Sequence, residues 1–433
     1  MFKTLTDAFK IKDVRNKLLL TLLLLLIFRL GCWIPVPGLE EITFTEGQTF
    51  MQLLSSLSGG ALSQGTFLAL GVSPYITSSI IVQLLSVVIP SWERLSKEGA
   101  EGRKKIEKYT KIVALIIATA QAIGIVVGFK NQGYVNLSYF KGIPEWMGMA
   151  FIVLMLVAGA MFTVWLGEKI SEIGIGNGMS LLIFVGILSS AGTALFTNFQ
   201  NIAKGGEVAQ NAIWQLILFL VTMLVVFGFV VFVDGGERKV PVQYAKQIKG
   251  RKMYGGQSTY IPVRVNANGV MPIIFASSII TFPQMICSIF DAEASWGFTK
   301  WWAKWLGAGS WIYTILLGLL ILAFAYFYSM LNFNTDDISK QIQHNGGFIP
   351  GIRPGKPTAN YLSGISKRIT LFGAIFLAIM AIVPTYLFKA IGTTGLTSAF
   401  GATAILIVVS VALEFDKQLE AQMLMRNYRG FLK

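Results

Sequence analysis

Ten apolar stretches divide this chain, and the segments that connect them alternate sharply in basic content. Counted on alternate segments, lysine and arginine number 29 on one side and 6 on the other. An apolar stretch of roughly 20 residues can cross the ~30 Å hydrocarbon core of a bilayer, and cytoplasmic loops collect Lys and Arg. The pattern therefore predicts a chain that crosses a membrane ten times and has both termini in the cytoplasm. The predicted spans are 18–35, 71–90, 112–129, 146–166, 179–196, 213–233, 270–290, 311–331, 371–388 and 397–413.

The composition agrees with a membrane protein and gives no indication of a disulfide or metal site. Apolar residues make up 54% of the chain and charged residues 13%, whereas soluble domains carry about 25% charged residues. The net charge of +14 lies mostly in loops beside the spans, where it acts as an orientation signal. Two cysteines, Cys32 and Cys287, supply no disulfide framework, and a single loop histidine, His344, does not predict a metal site. No metal and no cofactor are expected.

Arg29 is the one residue among Asp, Glu, Lys, Arg and His within any predicted span, about 17 Å along a helix of ~1.5 Å rise per residue. A charge at that depth is costly unless it snorkels to the surface or faces a wet interior or a partner, and both alternatives stay open. Arg29 also interrupts the apolar run before Leu30-Gly31-Cys32, so cleavage of a signal peptide is not expected. Upstream, Phe2, Leu5 and Phe9 share one helical face, which predicts a helix lying on the membrane surface.

Residues 57–70, LSGGALSQGTFLAL, form an apolar segment that is too short to cross a membrane. Gly59, Gly60 and Gly65 interrupt it, and Gly-Val-Ser-Pro follows it before the second span continues. Irregular backbone at membrane depth is tolerated only inside protein or beside a water-filled cavity. The segment therefore predicts a short re-entrant helix within a cavity, and a helix packed on the outer rim is the alternative.

Apart from Arg29, no Asp, Glu, Lys, Arg or His lies within the predicted spans. Coupled transporters place such groups near the midplane, and many ion channels select with charged rings. The sequence also has no phosphate-binding loop, Ser-His-Asp set or cysteine cluster, so an enzyme is not expected. Any conduit would be lined by neutral and apolar groups.

Ten spans divide into two groups of five, which would run in opposite senses across the membrane. We expect an N-terminal half at 1–196, an external hinge loop at 197–212 and a C-terminal half at 213–433. Because inverted halves are also common in transporters, a small-solute transporter is the second hypothesis, and a membrane enzyme or scaffold is the third.

Two long predicted cytoplasmic loops are basic. Loop 234–269 contains KQIKGRKMYGG, and loop 332–370 contains GGFIPGIRPGKPT. Pro354 and Pro357 fix φ and are expected to prevent helix, which predicts a shaped loop tip. Binding of anionic lipid would explain such loops, and docking of a large, partly acidic partner or of RNA phosphate is the alternative.

Several long motifs are found in both halves. They are SGGALSQGTFLALGVSPYITSSIIVQLL, KEGAEGRKKIEKYT, WLGEKISEIGIGNGMS, YAKQIKGRKMYGGQSTYIPVRVNANGVMPIIFASSII and GGFIPGIRPGKPTANYL. With these motifs the chain resembles the SecY family of protein-conducting channels. The resemblance implies an all-α polytopic membrane protein, with ten transmembrane helices in two inverted five-helix halves around a central hourglass pore and a short re-entrant plug helix. It implies passage of unfolded secretory proteins across the bacterial cytoplasmic (inner) membrane, and lateral release of signal sequences and transmembrane segments into lipid.

By motif position, the resemblance also assigns roles to residues of this chain. A closing apolar ring falls on Ile76, Ile80, Ile183, Ile187, Ile274 and Ile407. The plug falls on Leu57, Ser58, Gly59, Gly60, Ala61, Leu62, Ser63, Gln64, Gly65, Thr66, Phe67, Leu68, Ala69 and Leu70. The lateral gate falls on Thr77, Ser278 and Phe282, and docking of a motor or ribosome falls on Lys249, Arg251, Lys252, Arg353 and Lys356.

The implied partners are small membrane subunits of the SecE and SecG types, the SecA motor ATPase and the ribosome. Signal sequences, unfolded preproteins and anionic lipids complete the set. Because the chain has no nucleotide-binding motif, the resemblance implies a passive pore that an external motor or ribosome drives.

Overall fold

The structure, a computed structural model, describes residues 2–42, 55, 58–140, 142, 144–203, 207–244, 247–249, 252–254, 258–266, 269, 271–290, 297–306, 310–391 and 402–430. Leu57 and Arg251, which carry predicted roles, lie outside this part of the chain.

The N-terminal half is a series of helices. They are α1 (Phe2–Lys10), α2 (Lys12–Gly31), α3 (Ser73–Val88), α4 (Pro90–Lys97), α5 (Ala100–Asn131), α6 (Glu145–Ile173) and α7 (Gly178–Ala203). Proline stands in the first turn of α3 and of α4, where a missing N–H costs no intrahelical hydrogen bond. A 3₁₀ turn at Leu137–Phe140 precedes α6.

The C-terminal half combines helices with short strands. The helices are α8 (Glu207–Asp234), α9 (Met271–Phe290), α10 (Gly297–Leu306), α11 (Trp311–Asn332), α12 (Thr335–His344), α13 (Lys356–Ile391) and α14 (Ala402–Gly430). The strands are β1 (Glu237–Tyr244), β2 (Gln247–Lys249), β3 (Lys252–Tyr254), β4 (Ser258–Arg264) and β5 (Gly347–Phe348).

Each of the ten predicted spans overlaps one helix, in order α2, α3, α5, α6, α7, α8, α9, α11, α13 and α14. Within the described residues, six helical segments are long and apolar enough to cross a membrane: Glu101–Lys130, Glu145–Ile173, Gly178–Gln200, Leu216–Asp234, Trp311–His344 and Lys356–Pro384. Two shorter apolar helices, Ser73–Val88 and Met271–Ile280, accompany them. The fold is thus mostly helical and membrane-spanning, while the count of ten stays a prediction.

The expectation of an all-α fold is wrong in the two basic loops. Strands β4, β1 and β5 form a three-stranded antiparallel sheet, and β2 pairs with β3 as a hairpin. Alternate residues of β1, Val240 and Val242, point into a small core with Ile342 of α12 and Leu362 of α13. Strands arise here because alternation of apolar and polar residues suits a sheet with one covered face. We call the residues 237–266 and 335–370 together the basic end.

The plug segment, residues 57–70, is not a helix where the structure describes it. Residues 58–72 form consecutive turns, and Thr66 makes an isolated bridge with Pro35. Glycine explains the difference, because Gly59, Gly60 and Gly65 all have positive φ, at +71°, +85° and +59°. An α-helix does not accommodate that conformation.

Two smaller expectations also change. The predicted hinge loop at 197–212 is largely helical, because α7 runs to Ala203 and α8 begins at Glu207. Pro357 does not prevent helix, because α13 begins at Lys356 and the first turn tolerates proline. The predicted N-terminal helix is present as α1, and its Ala8 is fully buried in a cluster with Leu419 of α14.

One buried cluster joins the two halves of the sequence. It contains Phe28 of α2 and Cys32, which follows α2, and it extends to Leu182 of α7 and Ile407 of α14. Small residues allow close approach around it: a Cβ built on Gly159 of α6 would lie 1.8 Å from a carbonyl oxygen of the plug segment. The plug segment is therefore packed directly onto the helices.

Candidate functional site

The six isoleucines of the predicted ring, which we call the waist, come from four helices that are distant in sequence. Ile80 belongs to one buried cluster, and Ile183, Ile187 and Ile407 belong to a second. Ile76 and Ile274 pack against both clusters. The six predicted side chains are therefore brought together in one region, between α3, α7, α9 and α14.

Helix geometry accounts for this convergence. In an α-helix, residues four apart lie on the same face, which places Ile76 with Ile80 on α3 and Ile183 with Ile187 on α7. Helix α3 contacts α9, and α7 contacts α14. Each helix thus directs an isoleucine face toward the same region.

Most of the waist side chains are buried. Ile187 is fully buried, and Ile80, Ile183 and Ile407 are 3%, 6% and 4% exposed. Apolar side chains in such contact leave no polar partner for water or for an ion. The arrangement can exclude water while binding nothing specifically.

The plug segment is held by backbone hydrogen bonds to the residues that follow α2. Phe67 N donates to Ile34 O at 2.8 Å, and Val36 N donates to Gly65 O at 3.0 Å. Further along, Ile42 N donates to Ser63 O at 2.7 Å. These bonds replace the intrahelical bonds that the sequence led us to expect, so the buried backbone is still satisfied.

The side chains of the plug segment are shared between two buried clusters. Ala61 and Leu68 belong to the cluster that holds three waist isoleucines. Leu62, Ala69 and Leu70 belong to a second cluster with α5 and α6. The segment therefore lies between the waist and the N-terminal helices, and the alternative of a helix packed on the outer rim is not observed.

Arg29 contacts the plug segment and an aromatic ring. Its Nη1 donates to the carbonyl oxygen of Gly59 at 2.9 Å, and the guanidinium stands 6.0 Å from the centre of the Trp33 ring. Sequence reasoning left its role open because the acceptor is a backbone group 30 residues away, and no residue type encodes it.

The predicted lateral-gate residues lie on α3 and α9, which contact each other. Thr77 is half-buried, and its hydroxyl donates to Ser73 O at 3.1 Å. Ser278 is half-buried on α9, and Phe282 lies on the same helix with its side chain outside the described part. Sequence reasoning missed one polar contact of α3, in which Tyr328 of α11 donates to Gln83 Oε1 at 2.6 Å.

The predicted docking residues are distributed over the basic end. Arg353 and Lys356 are exposed beside the start of α13. Lys249 and Lys252 are paired across the β2–β3 hairpin, and Arg251, between them in sequence, lies outside the described residues.

The loop that carries Arg353 is shaped by its backbone. Gly351 and Gly355 have φ of +81° and +98°. The buried hydroxyl of Ser339 donates to Gly355 O at 2.7 Å, and that of Thr358 donates to Arg353 O at 2.9 Å. These bonds fix the loop tip, so the exposed basic side chains project from a rigid support.

A metal or redox centre finds no support in the part of the chain that the structure describes. No group of three or more His, Cys, Asp or Glu residues there could hold a metal ion. Cys32 is buried and free of any disulfide, and His344 is exposed at the end of α12.

Comparison with curated proteins gives full-length matches. The protein translocase subunit SecY of Streptomyces lividans is 41% identical over 445 residues, with 100% of both chains covered. That of Mycobacterium tuberculosis (strain H37Rv) is 41% identical over 452 residues, again with 100% of both covered. That of Halalkalibacterium halodurans is 38% identical over 443 residues, with the same coverage.

Solved structures agree in fold. A structure described as a protein-conducting channel aligns with a TM-score of 0.67 at 20% identity, covering 94% of this chain and 92% of its own. A channel of the canine ribosome-channel complex, Sec61, aligns with a TM-score of 0.62 at 19% identity and the same coverage. At the level of family models, SecY matches residues 66–415. On the full-length identity and this match, the chain belongs to the SecY family.

Proposed function

We propose that this chain is the central subunit of the Sec translocation channel and conducts unfolded secretory proteins across the bacterial cytoplasmic membrane. Its full-length relatives are named protein translocase subunits, and they align over the whole of this chain. Membership in the SecY family thus assigns it to protein transport through a channel rather than to catalysis.

The observation that carries the mechanism is the apolar waist. A translocating chain presents every kind of side chain, so specific polar sites would bind parts of it and slow its passage. Isoleucines such as Ile80 and Ile187 offer weak, non-directional contact and can close on one another when the passage is empty. The absence of charge from the predicted spans, Arg29 aside, fits the same requirement.

We assign the plug segment as the second seal. Its side chains Ala61 and Leu68 share a buried cluster with Ile183 and Ile187, which supports a role next to the waist. The lateral gate would lie between α3 and α9, where Thr77, Ser278 and Phe282 fall. Separation of those two helices would open a path from the passage to lipid.

The architecture we propose has ten transmembrane helices in two inverted halves, 1–196 and 213–433, around an hourglass pore. A connection near 197–212 would act as the external hinge. Both termini would face the cytoplasm, because the segments rich in Lys and Arg lie on that side.

Movement must be driven from outside, since the chain shows no nucleotide-binding motif. We propose that the basic end, through Lys249, Arg251, Lys252, Arg353 and Lys356, meets the SecA motor or the ribosome. Arg353 and Lys356, exposed beside a loop that is held by hydrogen bonds, suit acidic protein surfaces and RNA phosphate. Small SecE-type and SecG-type subunits, signal sequences and anionic lipids are the other proposed partners.

The decisive experiment crosslinks a stalled, half-exported polypeptide to photoreactive residues placed at 76, 187 and 274. Matched control positions are Leu224 and Ile116, which are 70% and 64% exposed on outer helix faces. We expect crosslinks at the three waist positions and none at the controls. Crosslinks to lipid alone at 76, 187 and 274 would overturn the proposal.

A further inference from the structure

Arg29 makes a charged hydrogen bond within a predicted span. Among Asp, Glu, Lys, Arg and His it is the only residue in any predicted span, and its Nη1 donates to Gly59 O at 2.9 Å in partly buried surroundings. A hydrogen bond from a charged donor is shorter and about twice as strong as a neutral one. The contact therefore ties α2 to the plug segment by more than apolar packing.

Cys32, directly after the end of α2, faces the same turn of the plug segment. Cys32, three residues after Arg29, is 1% exposed, and its Sγ lies 3.7 Å from Ser58 O. The guanidinium and the thiol thus face the carbonyls of two successive plug residues. Because the plug turn lies over the thiol, the access of a reagent to Cys32 reports the position of the plug segment.

Gly59 itself fits between two helices. A Cβ built on it would lie 3.1 Å from Arg29 Nη1 and 3.2 Å from Gly186 Cα, and its φ of +71° favours glycine. Gly186 precedes the waist residue Ile187 on α7. Arg29 therefore holds the plug turn against the helix that supplies two waist isoleucines.

From these contacts we infer that Arg29 is a positioning residue that latches the plug segment in its closed place through the carbonyl of Gly59. The inference rests on the proposed channel function. The hydrogen bond from Arg29 to Gly59 O is strong only where water is excluded, because a low local dielectric strengthens a hydrogen bond to a charge. When a passenger brings water into the passage, water competes for the guanidinium and the latch weakens.

The test measures labelling of the native Cys32 thiol by a small maleimide in the resting, full-length protein in proteoliposomes. The background carries Cys287→Ser, so that Cys32 is the only thiol. We expect Arg29→Gln to label about tenfold faster, which corresponds to about 1.4 kcal/mol. Arg29→Lys, which keeps the charge but loses the planar fork, gives a smaller increase. Arg15→Gln, an exposed position on the same helix, leaves the labelling rate unchanged.

Resting ion conductance of the same samples separates this inference from the proposed function. Faster labelling together with a leak supports both. Faster labelling without a leak supports the latch and contradicts the assignment of the plug segment as a seal. Because a nearby positive charge favours the reactive thiolate, Arg29→Lys, which keeps that charge, is compared with Arg29→Gln. Unchanged labelling in both folded variants overturns the latch, whatever the conductance.

A second variant keeps the test decisive if Arg29→Gln does not accumulate. Gly59→Ala leaves the charge in place and disturbs the contact from the plug side, because its Cβ meets the guanidinium and Gly186. We expect the same direction of change in Cys32 labelling. A folded Gly59→Ala protein with unchanged labelling would overturn the latch independently.

Discussion

The waist and the basic end are built in opposite ways. The waist gathers isoleucines from α3, α7, α9 and α14 into apolar contact. The basic end presents exposed Arg353 and Lys356 beside a loop that is fixed by hydrogen bonds from the side chains of Ser339 and Thr358 to its backbone. One region depends on the sum of interchangeable apolar contacts, and the other depends on individual charges and turns. Substitutions should therefore follow different rules in the two regions.

The largest expected effect is a charge placed in the waist. In Ile187→Asp, a carboxylate replaces a fully buried side chain, and a buried charge costs about 3 kcal/mol or more unless water enters to hydrate it. We expect resting ion conductance to rise about hundredfold, as 1.4 kcal/mol corresponds to about tenfold. Conductance is measured in planar bilayers with the purified channel.

Ile187→Leu is the matched control, because it keeps volume and apolarity at the same position. It should leave the resting conductance close to that of the unmodified protein. A folded Ile187→Asp channel that stays sealed would show that Ile187 is not part of the closing ring.

The next effect tests the basic end by charge reversal. In Arg353→Glu an exposed cation of the rigid loop becomes an anion, and like charges brought together at an interface oppose docking. We expect motor-driven export to fall roughly tenfold while membrane insertion of the chain itself is unchanged, because single charged contacts of this kind contribute about 1.5–3 kcal/mol. Export is measured as protease-protected preprotein in inverted vesicles.

Lys340→Glu provides the comparison, since Lys340 is also exposed at the basic end, on α12, and carries no assigned docking role. Export should be affected much less there. Equal losses in the two variants would mean that general charge, and not Arg353, governs docking.

The two regions also differed in how far the sequence could predict them. Apolar runs and the alternation of Lys and Arg indicated a helix for each predicted span, because hydrophobic length and loop charge are local properties. The convergence of Ile76 and Ile274 with the other waist residues came from family motifs alone, since spacing within one helix does not encode contacts between helices.

Local backbone chemistry caused most of the errors. Three glycines with positive φ turned the expected plug helix into turns, and Pro357 sits in the first turn of α13 where a loop was expected. The Arg29–Gly59 contact joins a side chain to a backbone carbonyl far along the chain. No pattern of residue types could have indicated that acceptor.

A moderate effect tests whether the shape of the basic end matters apart from its charge. Gly355 has φ of +98°, and alanine there is strained by about 1 kcal/mol or more. We expect Gly355→Ala to weaken binding of the motor to the channel about fivefold, since 1 kcal/mol is a factor of about five. Binding is measured by titrating labelled motor onto channel-containing nanodiscs.

Gly364→Ala is the matched glycine substitution. Gly364 lies within α13, a Cβ there meets no atom within 4 Å, and alanine favours helix over glycine. It should leave binding unchanged. If Gly355→Ala also binds the motor normally, the positive charges suffice and the rigid tip is not required.

The smallest expected effect lies in the waist again and tests whether its contacts are interchangeable. Ile80→Val removes one methylene from a side chain that is 3% exposed, and such a change costs about 0.5–1.5 kcal/mol in a packed core. Because neighbouring isoleucines can repack, we expect the resting leak to rise only about twofold, corresponding to the lower end of that cost. Ile405→Val removes the same methylene from the same buried cluster but outside the ring, and it should lower thermal stability to a similar degree without any leak. A leak in Ile405→Val equal to that in Ile80→Val would mean that the seal is a property of the whole core and that the six waist isoleucines have no special part in it.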